Sequence, residues 1–417
     1  MISKGNHSKD HKDYMLFWMM PDSGPNTKED FETFLAAYRK DRPKEDIRVE
    51  YFTRDNLWRK LFLMRFEDDI SGLPDLIQVP HTWTPFLTAT NSIENLSALD
   101  PSLNLNSFLS PLAPHCYRGG TKDIYGLPWW MDVMAMHYRE DHLKKVSKNP
   151  EEDLKTWQGF LEICAKLKKE FNTDHSYFPI QNSDWRGSIS IRYIFPCIWS
   201  RGSDLFDEAG KKSCFNDSAF VAGLEDYITL AQREFLPILR ERGSLGTMLS
   251  GRASIFMTRR QGLSIFEAHK SAFEAKTAAV PASGAKSVSF LSGVNLVINK
   301  RSEKKEQCLD LIKWLLKKEN QLKYAALMEV FPAEEGSFEE FIFSSAERMK
   351  TYSKIVADAR TLSVNMAAET ATKILNEVLD RVSSEIIKGA YRREILLAEL
   401  DRASKETDYL LNLYGDY

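Results

Sequence analysis

Apolar segments of strand length alternate with amphipathic segments of helix length along the first part of the chain. YMLFWMM (14–20) is a continuous apolar run closed by PDSGP, the pattern of a buried strand entering a loop. Thr27 to Lys40 follows with Phe31, Phe34, Leu35 and Tyr38 at helical spacing; Thr27 stands as a cap and Asp30 as the acidic third residue. IRVEYF (47–52) alternates as a strand, Leu57 to Met64 is helical, and LPDLIQVP (73–80) reads as a third, buried strand. Strand, helix, strand, helix, strand predicts parallel α/β layers with crossover helices.

Further on, TWQGFLEICAKLKKEF (156–171) and SAFVAGLEDYITLAQREF (218–235) are amphipathic helices. Between them lie the apolar aromatic segment IRYIFPCIW (191–199) and a turn-rich stretch, SRGSDLFDEAGKKSCFND (200–217), which reads as a loop or small hairpin. GTMLSGRASIFMTRRQG (246–262) reads as a short helix, a glycine turn and a strand, and SFLSGVNLVINK (289–300) as another strand. KKEQCLDLIKWLLKKENQLKYAALM (304–328) is helical, and so is nearly everything from Ala346 onward. The chain has 417 residues. A single core rarely exceeds about 250–300 residues, so two lobes are expected.

One stretch stands apart. YGLPWWMDVMAMHYRED (125–141) sets two tryptophans beside an aspartate. Pro128 blocks helix and favours extended chain, in which neighbours face opposite sides. Trp129 and Trp130 are therefore expected to part, with Trp129 packing inward. Trp130 shares its side with Asp132. A flat ring beside a carboxylate suits a sugar, whose C–H face lies on the ring and whose hydroxyls meet the acid. A core tryptophan with a solvated aspartate is the competing reading.

Ligands of open α/β sheets lie beyond the carboxyl ends of the strands. Those ends contain Asp22 and Ser23 after the first strand, and His81 and Trp83 after the third. Asp and Ser also favour turns for their own reasons. Trp199 ends an apolar run, with core packing an equal competitor. Gly293 and Asn295 in SGVN give a place where backbone approaches a ligand closely, or a strand-entry turn. Arg259 offers a fork for a carboxylate or phosphate, against a solvated charge.

A formal net charge of −3 removes the basic field that nucleic-acid binding needs. Five cysteines without a CxxC argue for buried thiols over a disulfide framework, and no metal-ligand spacing occurs. His7 and His11 fall in a polar tail. No cofactor is called for, because GxSxG, HExxH, Walker-type and GxGxxG patterns are missing. A glycoside hydrolase would need two carboxylates across a sugar. Asp22 and Asp132 are the pair that can be imagined, and nothing in the sequence brings them together. No catalytic residue is assigned. The opening MISKGNHSKDHKD has no apolar core of a signal peptide, and no run of 18 apolar residues occurs.

The order of these pieces resembles the bacterial extracellular solute-binding proteins of ABC sugar importers, the maltose-binding-protein-like superfamily. LPDLIQVPHTW, YGLPWWMDVMAMHYRED, IWSRGSDLFDEAGKKSCFND, GRASIFMT and SFLSGVNLVINKRSEKKEQCLDLIKWLLKKENQLKYAALMEVFPA carry the likeness, in the family's order, over nearly the whole chain. The resemblance implies a two-lobed, type II-like binding-protein fold with hinge crossings. Lobe one is expected over 1–133 and 284–332, lobe two over 134–283 and 333–417. It implies a monomer that binds a carbohydrate in the inter-lobe cleft, closes by hinge motion and docks on a membrane permease, with no chemistry performed. Trp130 and Asp132 match the family's cleft segment. The sequence departs from the family in lacking the signal peptide and lipobox cysteine, in Arg201 standing where glycine is common, and in Arg259 and Arg260 following Met257. These departures support a second reading: a cytoplasmic solute sensor on the same fold, for an anionic sugar derivative.

Overall fold

A computed structural model describes residues 13–21, 27–70, 72–173, 176–182, 190–238, 245–260, 273–345 and 347–414. Asp22, Ser23, His7 and His11 lie outside them. The three strand-like segments of the N-terminal part form strands β1 (Tyr14–Met19), β2 (Asp46–Tyr51) and β3 (Leu76–Pro80). β1 lies parallel to both β2 and β3, as crossover helices require. β4 (Leu127–Val133) and β9 (Leu291–Ile298) extend the sheet antiparallel, and the short β10 (Phe331–Pro332) closes it; the order is β10-β4-β9-β3-β1-β2. A second sheet takes β5 (Ala135–Arg139), β6 (Ile180–Asn182), β7 (Ile255–Thr258) and β8 (Ala275–Ala278), in the order β6-β7-β5-β8.

The chain passes from the first sheet to the second within one residue, Met134, between β4 and β5. At that level Met134 N–H donates to the Phe290 carbonyl at 2.9 Å, and Leu291 N–H donates to the Arg360 carbonyl at 2.7 Å. Arg360 N–H returns the bond to Ser289 at 2.9 Å. Three segments distant in sequence therefore run side by side where the sheets meet.

Each sheet has its own core. Phe17, Phe31, Leu76, Trp129, Leu296 and Tyr324 are buried around the first. Phe160, Ile194, Phe220, Ile255 and Leu375 are buried around the second. A third cluster, with Met131, Val133, Ala135, Leu291, Phe331 and Tyr352, fills the junction. The C-terminal part forms helices Glu347–Ala357, Ala368–Ile387 and Arg393–Tyr414. The helix Ala368–Ile387 buries Ala371, Ile374, Leu375, Val378, Leu379 and Val382, spaced by three and four, in the second core. The turn-rich stretch does form a hairpin-like loop, bridged at Phe206 and Ser213. The glycine turn before β7 needs its glycine, since Gly251 has φ +76°.

The two tryptophans depart from strand alternation. Pro128 opposes Asn295 and Trp130 opposes Val294, so Trp129 is an extra residue in β4. This bulge resets the side-chain direction, and both indoles join the first core. Trp129 stacks on Tyr324 at 4.2 Å and lies 5.9 Å from Phe31. Trp130 is only 8% exposed.

Candidate functional site

β3 ends at Pro80, and the next three residues, His81–Trp83, form a single 3-10 turn leading into the helix Thr84–Ala89. This is the carboxyl edge of a parallel strand, where α/β sheets hold ligands. His81 sits just past the last ladder pair with β9: its Nδ1 accepts the Gly293 N–H at 3.0 Å, and its Nε2 contacts the Thr361 hydroxyl. The His115 ring stands edge-on at 4.5 Å. Burial pushes the His81 imidazole down to about 4, and the Arg54 charge adds to that. Burial and the neighbouring His81 also hold His115 well below the usual range. Both rings are therefore neutral at pH 7, and His81 ties the end of β3 to β9 and to the segment that precedes the helix Ala368–Ile387.

Trp83 is fully buried, with the half-buried Trp58 ring at 4.9 Å and the Arg54 guanidinium 4.9 Å over its face. Arg54 and Trp58 lie one turn apart on the helix Arg54–Leu63, which Thr53 caps by accepting the Asn56 N–H. Arg54 donates to Glu369 at 2.6 Å, and Lys373 Nζ lies 4.9 Å over the Trp58 ring. Glu369 and Lys373 sit on the helix anchored in the second core, so the two halves of the molecule meet at this indole pair. Met366 packs against the same cluster.

The remaining sequence-predicted residues are held by the protein itself. Asp132, at the end of β4, is fully buried; it accepts from Val133 N–H at 2.9 Å and Arg260 N–H at 3.3 Å. Its other oxygen is 3.6 Å from Arg259 Nε. Burial raises its carboxyl above the ordinary range, and the Arg259 charge opposes that rise most. Arg260 donates to the Ala325 carbonyl at 2.6 Å and lies 4.6 Å over Phe341. Asp132 and the two arginines thus brace β7 against β4 across the junction. The Trp130 ring is buried in the core, so it forms no exposed platform beside Asp132. Trp199 stacks on Phe290 at 5.4 Å and donates to Asp204 at 3.0 Å. Gly293 lies under Leu112, whose Cδ2 would be 2.5 Å from a Cβ there. Its lack of a side chain serves this packing. Asn295 is buried and donates to the Thr84 hydroxyl at 2.9 Å. Arg201, the first departure from the family pattern, pairs with Asp226 at 2.8 Å.

Arg54, Trp58, Glu369 and Lys373 were not singled out from the sequence. The one available signal was the four-residue spacing of Arg54 and Trp58 on a helix running past the carboxyl edge. No group of three His, Cys, Asp or Glu side chains able to hold a metal occurs among the described residues. Among the same residues no helix is long and apolar enough to cross a membrane.

The profile of the family described as bacterial extracellular solute-binding protein matches residues 33–351. The sn-glycerol-3-phosphate-binding periplasmic protein UgpB of Yersinia enterocolitica is 26% identical over 122 residues, 28% of this chain. That match spans only about a quarter of the relative's length, 27%. Among solved structures, the sugar-binding protein MalE from Xanthomonas citri superposes with a TM-score of 0.78 at 17% identity, covering 97% of this chain and 99% of that one. The GacH receptor of Streptomyces glaucescens, solved unliganded and with acarbose, superposes with a TM-score of 0.78 at 16% identity, covering 94% and 98%. The architecture is the two-lobed one of these proteins, with a mixed α/β sheet in each half. With the family profile spanning most of its length, the chain belongs to the bacterial extracellular solute-binding proteins.

Proposed function

We propose that the chain binds a carbohydrate, an oligosaccharide, in the cleft between its two lobes and presents it to the permease of an ABC transporter outside the cytoplasm. The lobes are residues 1–133 with 284–332, and residues 134–283 with 333–417. The passage of the chain between sheets at Met134 supports the first boundary. One observation carries the reading: Trp58 and Trp83 meet at the carboxyl edge of β3 while Arg54, Glu369 and Lys373 converge on them from both halves.

The physics follows from those residues. A sugar laid on an indole removes C–H and ring surface from water, at roughly 25 cal/mol per Å². Arg54, Glu369 and Lys373 exchange their mutual contacts for hydroxyl groups. A hydroxyl left unpaired in the shut cleft costs about 1–3 kcal/mol, which selects the sugar's stereochemistry. Because Glu369 and Lys373 reach the indoles only when the lobes are together, the ligand favours the closed state by its differential affinity. Asp132, Arg259, His81 and Trp199 act as the frame that holds these walls. The protein is a monomer in this reading and carries out no reaction.

Calorimetric titration tests it with linear neutral oligosaccharides beside sn-glycerol 3-phosphate. Saccharide binding that weakens in Trp58→Ala supports the site. Binding of the phosphate compound alone favours the anionic alternative and assigns Arg54 and Lys373 to its charge. The same saccharide affinity in the variant removes Trp58 from the ligand.

A further inference from the structure

The aromatic pair at the lobe contact is the inner end of a longer row. Arg54, Trp58, Phe62 and Phe66 are spaced by four on the helix Arg54–Leu63 and the 3-10 turn Met64–Phe66 that continues it. From Trp83 the rings run to Trp58 at 4.9 Å and from Trp58 to Phe86 at 5.0 Å. Phe86 is stacked with Phe62 at 6.5 Å and 18°, and Phe62 lies 6.0 Å from Phe66. Trp83 and the linking Phe86 are buried at 0% and 8%, Trp58 is half-buried, and Phe62 and Phe66 at the outer end are 45% and 68% exposed. Two exposed phenylalanines 6.0 Å apart form a contiguous apolar patch, and such a patch calls for an explanation. These two are not loose: Arg301 donates to the carbonyls of Met64 at 3.3 Å and Asp68 at 3.2 Å, fixing the segment that carries Phe66.

We propose that this row is a track for an extended oligosaccharide, one end enclosed at Trp83 and Trp58 and the outer units lying on Phe62 and Phe66. The inference rests on the carbohydrate reading above and adds to it the length and exit direction of the ligand. Two features favour a glycan over a docked protein. The rings are continuous with the enclosed site and are spaced on the scale of a sugar unit. The same helix carries exposed Asn56 and Arg59, and the 3-10 turn carries exposed Arg65, whose guanidinium lies 5.4 Å from the Phe66 ring. Pyranose rings offer an apolar face with hydroxyls at its rim, which this mixture complements.

The test is calorimetry on the full chain with linear gluco- and manno-oligosaccharide series from disaccharide to heptasaccharide, comparing wild type, Phe62→Ser/Phe66→Ser and Trp83→Ala. Both phenylalanines are exposed, so an unchanged thermal midpoint certifies the double variant's fold. The expected result is wild-type affinity that rises with chain length. The double variant then loses about tenfold on the longest sugars, the worth of the ring area buried, and nothing on the disaccharide. Trp83→Ala weakens every length. Equal length dependence in wild type and double variant overturns the track. So does a double variant that binds all saccharides normally but no longer stimulates a transporter, because the face then serves a protein. If no saccharide of either series binds the wild type, the carbohydrate reading falls, and the track with it.

Discussion

Lowering the pH from 7 to 5 should loosen the fold through His81. The imidazole is fully buried against Gly293, Thr361 and His115, with the Arg54 charge nearby. Its folded value is about 4, against about 6.5 when exposed. A depressed imidazole means the unfolded chain takes the proton first, so its stability contribution is intact above pH 6.5 and is lost as pH falls toward 4. At pH 5 the loss is about 2 kcal/mol from His81 alone, from roughly 1.5 units at 1.36 kcal/mol each. His115 shifts in the same direction and adds to it. Urea unfolding at pH 7 and pH 5 measures the loss, with His81→Gln as the comparison. Glutamine can bond to both Gly293 and Thr361 and does not titrate. The variant should lose about 2 kcal/mol less than wild type over this interval. Equal acid losses in the two proteins would refute the assignment. His142, also depressed by burial, is common to both and cancels.

Glu369→Gln removes the charge from the Arg54 pair between the halves, which is partly exposed and worth about 1 kcal/mol. The ligand-free protein should then show a larger radius of gyration by small-angle scattering; an unchanged radius means the pair does not hold the halves together. Gly223→Ala puts a Cβ 2.6 Å from the Ile198 Cα and 2.7 Å from its backbone nitrogen, so the helices Ile191–Ser200 and Ser218–Gln232 must part. A destabilisation of about 1–3 kcal/mol or more is expected by denaturant titration, and a neutral result would mean the helices can slide.

β1 and β3 were legible as apolar runs bounded by Pro or Asp and β2 by its alternation, and their parallel order followed from the helices between them; the short β6, β8 and β10 carry too few residues to stand out. The carboxyl edge of β3 was legible for the same reason, and it holds Trp83 and His81. Alternation failed at Trp129 because the bulge depends on the partner β9, which enters from far along the chain. Asp132 and Arg259 were each singled out as polar groups suited to a ligand. In the structure they face one another at 3.6 Å, the charge of the arginine compensating a buried carboxylate. Arg54 and Glu369 are 315 residues apart, and neither stands out locally. Only the closure of two separate cores brings them together.

The three segments laced together at Met134, Phe290 and Arg360 have a mechanical consequence. Strands bonded side by side bend across their width more readily than they shear along their length. On the hinged reading proposed above, the halves would therefore swing like leaves of a book and not slide past one another. A cargo that fits is one whose thickness, rather than whose length, the opening angle admits.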